Sequence, residues 1–98
     1  GVDAFLETMH SQSPDILGMK QTLPTIFDSY EINTQLTSFA FIGQNEDYAV
    51  ARVKMKSIKI SGPAFHNAET DSICIFRQEN GEWKNWTQVI VDTHFINE

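Results

Sequence analysis

FRQENGEWKNWTQVIV, residues 76–91, holds two β-rich runs on either side of Glu79-Asn80-Gly81-Glu82. Asn-Gly is a strong short-range hairpin signal, because both residues tolerate the positive φ that a two-residue turn requires. The run therefore predicts a third strand over 65–78 and a fourth over 83–95. Upstream, Ser61-Gly62-Pro63 ends a long strand over 48–60, with Ala49, Ala51, Val53 and Met55 on one face and Val50, Arg52, Lys54 and Lys56 on the other. A turn over 43–47 precedes it. Ile32, Thr34 and Leu36 alternate with polar residues, and Phe39 and Phe41 continue in the opposite phase. Such a phase change predicts a β-bulge near Thr37–Ser38 that bends the strand.

Before residue 30 the period is helical. Asp3 is a candidate N-cap for a short helix over 3–10, with Ala4, Phe5, Leu6 and Met9 as its apolar stripe. Ser13-Pro14 has the form of an N-cap followed by proline at the first helical position, which predicts a second helix over 14–30. Pro24 lies inside that run and is expected to kink the helix or divide it near Thr22. Helices followed by an antiparallel meander make an α+β domain with the helices on one sheet face.

Ninety-eight residues with 41% apolar content, seven Phe, two Tyr and two Trp suit one folded domain of modest core. The formal charge of −6 argues against nucleic acid, whose only candidate surface is Arg52, Lys54, Lys56 and Lys59. No apolar run approaches the roughly 20 residues that span a bilayer, and no signal peptide is visible, so a soluble, membrane-free chain is expected. Cys74 stands alone between Ile73 and Ile75. It reads as a buried, inert thiol and fits a reducing, cytoplasmic compartment.

The pieces VDAFLETMHSQSP, ILGMKQTLPTIFDSYE and SICIFRQENGEWKNWTQVI, taken in order, resemble the nuclear transport factor 2-like (ketosteroid-isomerase-like, cystatin-fold) superfamily. The most specific part is the run from Phe76 to Trp86, with its Asn-Gly turn and turn-exit Trp. The resemblance implies α+β architecture with N-terminal helices packed on a strongly bent, cone-shaped four-stranded sheet. The usual first helix of that superfamily has no counterpart here, which fits either a short version or a helix that lies upstream of residue 1.

If Trp83 faces the helices, as that resemblance implies, Asn85, Thr87 and Val89 share its side. Thr70, Ser72, Cys74 and Phe76 then line the same face across the hairpin. The candidate ligand-binding set is Tyr30, Met55, Thr70, Ser72, Asn85 and Thr87, around a pocket for a small hydrophobic molecule. The alternative is that Phe5, Phe27, Tyr30 and Phe39 simply fill that space. On the outer face Val50, Ile73, Ile75, Trp86 and Ile90 form a second apolar surface. A strand apolar on both faces is normally covered on both, so a homodimer packed through this outer face is expected, with Trp86 as anchor.

The titratable candidates are His10, His66, His94, Asp28, Glu31, Glu69, Asp71 and Asp92. No two histidines have metal-ligand spacing, so neither metal nor other cofactor is expected. Enzymes of the resembling superfamily place a carboxylate or histidine inside the cone, but the inward positions here carry none. A one-residue slip in the third strand would bring Glu69 and Asp71 inside, so both phases stay open. His10 reads as a cation at a helix C-terminus or as a rim acid–base group beside Tyr30 or Asp28.

Three functions follow. The first is a non-catalytic homodimeric module of the resembling type, binding a small hydrophobic ligand or a partner protein. The second is a small isomerase or dehydratase working by proton transfer. The third is a cystatin-like module binding proteins through loops and sheet edge, which the short polar turns do not favour.

Overall fold

The computed structural model describes residues 1–96. Two helices, α1 (Val2–Glu7) and α2 (Ile16–Ser29), precede four strands: β1 (Glu31–Asn45), β2 (Tyr48–Ser61), β3 (Ala68–Glu79) and β4 (Glu82–Phe95). The strands form one antiparallel sheet in the order β1-β2-β3-β4. The class is α+β, with a four-stranded sheet and two short helices. The β3–β4 turn is Asn80-Gly81, with φ of 53° and 81° respectively, as a two-residue hairpin demands.

The sheet is not strongly curled, which corrects the expected cone. The register explains why. A bulge does fall at Thr37, where pairing shifts between Leu36 and Ser38, and another shift falls between Phe41 and Gly43. Further shifts lie where β4 meets β3. Yet β2 and β3 pair without interruption from Tyr48↔Arg77 to Ser57↔Ala68. Bulges bend the strand that carries them. Here they sit in the pairings of the two edge strands, and the uninterrupted central pair keeps the sheet open.

The helices also depart from their expected bounds. α1 spans six residues with Gly1 as N-cap, so Asp3 lies in its first turn and does not cap it. α2 begins at Ile16 after Asp15 and runs through Pro24 undivided. Ser13 has a different task. Its hydroxyl donates to the Trp86 carbonyl and accepts from the Asp15 N–H at 3.1 Å, tying the start of α2 to β4. At the other end of α2, Gly62 (φ 123°) is forced by close approach: a Cβ there would sit 2.5 Å from the Ser29 carbonyl oxygen.

Residues 8–10 extend the sheet beyond β4. The Asn85 N–H donates to the Thr8 carbonyl at 2.9 Å, and the His10 N–H donates to the Asn85 carbonyl at 2.8 Å, forming a parallel bridge at Met9. Among the described residues the buried apolar ones are Met9, Leu23, Ala49, Ala51, Val53 and Ala68, and no large side chain is fully enclosed. Ala49, Ala51, Val53 and Ala68 occupy a single face of the sheet with buried Ser72. The domain measures 42 × 26 × 17 Å, and the segment between the helices is tied to the sheet at β4.

Candidate functional site

Side-chain alternation and the observed pairings divide the sheet into two surfaces. The inner face carries Ala49, Ala51, Val53 and Met55 of β2 opposite Phe76, Cys74, Ser72 and Thr70 of β3. Phe39 and Phe41 of β1 stand opposite Val53 and Ala51 and extend this face to one edge. Trp83 and Asn85 extend it to the other, opposite Gln78 and Phe76.

The small side chains of Ala49 and Ala51 form the floor of an apolar cleft of about 280 Å³, walled by Phe39, Phe41, Phe76 and Trp83. Gln44 is the polar side chain at its rim, and among the described residues no carboxylate or imidazole lines it. Phe41 is 62% exposed, Phe39 57% and Trp83 40%, whereas Ala51 is 1% exposed. Large apolar groups standing in water around a shielded floor are the mark of a recognition surface, not of a completed core. Phe5, Phe27 and Phe39 are all exposed, so they do not fill this space.

The six residues expected to bind a ligand are not gathered there. Met55, Thr70 and Ser72 share the inner face but lie further along the strands, where Met55 pairs with Thr70. Tyr30 stands at the end of α2 with its ring 5.8 Å from that of Phe65. Asn85 borders a separate shallow hollow with Ala4 and Trp83, and its amide donates to the Thr8 hydroxyl at 3.3 Å. Thr87 is on the other face, opposite Ile75, and its hydroxyl donates to the Asp15 carboxylate at 2.8 Å. The cause is a bulge at Trp86: Asn85 opposes Phe76 while Thr87 opposes Ile75, so the phase of β4 flips.

The same bulge redistributes the expected interface set. Val50, Ile73 and Ile75 lie together on the outer face, with Val50 opposite Ile75. Ile90 opposes Ser72 and belongs to the inner face; Val89, opposite Ile73, takes its place outside. Trp86 is half-buried by its own chain. The Arg77 guanidinium lies 4.8 Å from its ring centroid, the His10 ring meets it edge-on at 5.0 Å, and Tyr48 meets it edge-on at 6.1 Å.

Charged groups are organised as pairs on the outer face and at the turn end. Arg52 grips Asp71 with two bonds of 2.7 and 2.8 Å, which holds the Asp71 carboxyl below the usual range and raises the guanidinium. Asp71 and Glu69 thus face away from the inner surface. Arg77 donates to Asp47 at 3.0 Å and lowers its carboxyl in the same way. Glu79 is lowered by accepting from the Ser11 hydroxyl and its N–H.

His10 is 5% exposed and does not stand at the end of a helix: α1 ends before it, and its Nδ1 accepts from the Gln12 N–H at 3.0 Å. Its neighbours are Trp86 and Glu79, not Tyr30 or Asp28. Cys74 is half-buried, with its thiol raised by burial. Among the described residues no three His, Cys, Asp or Glu side chains gather as metal ligands. No helix among them is long and apolar enough to cross a membrane.

Over residues 1–96 the sequence matches the family model described as anti-sigma-I factor RsgI9, C-terminal domain, and the chain belongs to that family. No curated protein matches it closely enough to count as a relative. The match overturns the resemblance to the nuclear transport factor 2-like superfamily. The reading as a ligand-binding module of that type falls with it, and the isomerase or dehydratase alternative loses its basis. Helices before a meander, an Asn-Gly turn and a turn-exit Trp are features that unrelated α+β domains share.

Proposed function

We propose that this chain, as a member of the anti-sigma-I factor C-terminal domain family, is a regulatory protein-binding domain that engages its partner through the inner face of the sheet. The observation that carries this reading is the cleft. Its aromatic walls are exposed, its floor is made of two alanines, and among the described residues no acid or base lines it. Proton-transfer catalysis needs a titratable group at the reacting atoms. Protein recognition needs apolar anchors that are dry only in the complex.

The edge of the cleft supports a protein segment as the occupant. Its wall on one side is β1, whose outer edge pairs with no other strand of the sheet. A segment lying along that edge can bond to the strand backbone and insert alternate side chains between Phe39 and Phe41. The net charge of −6 favours a basic segment.

The test is made in an intact anti-sigma-I factor that carries this domain, with transcription driven by its sigma factor as readout. Phe39→Ser with Phe41→Ser should change reporter output several-fold while circular dichroism of the domain is unchanged. Unaltered output from a factor with a folded double variant would overturn the reading.

A further inference from the structure

The outer face has a feature that the protein-binding reading does not use. Its residues are arranged to complement a copy of themselves. β2 presents Val50, Arg52, Lys54 and Lys56 there, and β3 presents Ile75, Ile73, Asp71 and Glu69 beside them in register: Val50↔Ile75, Arg52↔Ile73, Lys54↔Asp71, Lys56↔Glu69. One central strand therefore carries a basic row, its neighbour an acidic row, and both rows continue into an apolar patch toward the hairpin. None of these eight residues is buried, and Val89, which widens the patch, is 59% exposed.

We propose that two copies of the chain associate back to back through this face, about a two-fold axis that runs parallel to the strands between β2 and β3. Rotation about such an axis exchanges the positions of the two central strands and preserves height along them. Each β2 then lies over the partner's β3. Lys54 and Lys56 face a carboxylate row, and Val50 faces the partner's Ile75. A two-fold contact must be self-complementary in this manner, and an axis perpendicular to the strands through the middle of this face would lay the apolar patch over charge. Facing sheets cross at about 30°, which displaces the central strands least because they lie nearest the axis.

Four strands about 4.8 Å apart, over about ten residues at roughly 3.3 Å each, give a plane of roughly 600 Å². Residues 10–15 cover its corner at Trp86 and Thr87, so the contact lies at the low end of the range for a specific interface, whose standard size is about 800 Å² per partner. The Arg52–Asp71 pair lies at the middle of the face, so its charges are already neutralised before the copies meet.

The experiment measures the solution mass of the 98-residue chain, 11.2 kDa as a monomer, at micromolar concentration. The wild type should have twice the monomer mass. Two charge reversals then test the axis. Lys54→Glu with Lys56→Glu makes both central rows acidic, and Glu69→Lys with Asp71→Lys makes both basic. Each double variant alone should be monomeric, whereas an equimolar mixture of the two should regain the dimer mass as a heterodimer. A wild-type chain that stays monomeric overturns the proposal whether or not the variants fold. If the wild type is dimeric and circular dichroism shows both variants folded, a mixture that remains monomeric overturns it as well. So does a double variant that stays dimeric alone.

Discussion

The Arg77 guanidinium stacks 4.8 Å from the ring centroid of Trp86, and this one contact closes the turn end of the outer face. Arg77 also lies 5.1 Å from the Tyr48 ring and bonds Asp47, so one side chain joins the β1–β2 turn to the β4 bulge. The bulge matters because it turns Trp86 toward Arg77 and flips β4 from Thr87 to Ile90, until a second shift at Val91 restores the phase.

A double-mutant cycle on Arg77→Met and Trp86→Leu measures that stacking. Cation–π contacts are worth about 0.5–1 kcal/mol at exposed sites and about 2 when desolvated. Arg77 is partly exposed, with its side chain at 28%, so a coupling of about 1 kcal/mol is expected from denaturant titrations. A coupling near zero would mean that the two rings of the cluster merely sit beside the cation.

Acid should weaken the fold through three carboxyls. Asp71 is held below its usual 3.8 by Arg52, Asp47 below the same value by Arg77, and Glu79 below its usual 4.5 by the Ser11 hydroxyl. A carboxyl lowered in the folded state stabilises the protein at pH above its unfolded value, and that contribution is lost as pH falls through the folded value. The melting midpoint should be level from neutral pH to about 5 and fall below about 4. Asp71→Asn should melt lower at neutral pH and lose less between about pH 5 and 3. A wild-type midpoint that does not move across that interval contradicts the assignment.

The reach of the sequence can be judged from particular strands. Asn80-Gly81 marked its turn because few residue pairs tolerate positive φ twice in succession, and the Thr37 bulge showed as a change in apolar phase. The bulge at Trp86 left no such trace. In WTQVIVDTHF apolar residues occupy both phases, so the flip that moves Thr87 outward and Ile90 inward does not disturb the pattern. The absent curl was hidden for another reason. Bend depends on whether a bulge is shared by neighbouring strands, and that is a property of pairing. Phe76, Trp83, Ala49 and Ala51 share one face, a grouping that strand alternation alone predicts. That their neighbour Phe39 stands in water was not legible, because exposure depends on what the short helices fail to cover.

The openness of the inner face is the premise of the proposed function, and acrylamide quenching of Trp83 fluorescence tests it most directly. Trp86→Phe leaves Trp83 as the sole tryptophan, and Trp83→Phe leaves Trp86. With Trp83 40% exposed beside the cleft and Trp86 half-buried between Arg77 and His10, Trp83 should quench several-fold faster. A Trp83 as protected as Trp86 in the isolated, folded chain would show the face already filled and contradict the account.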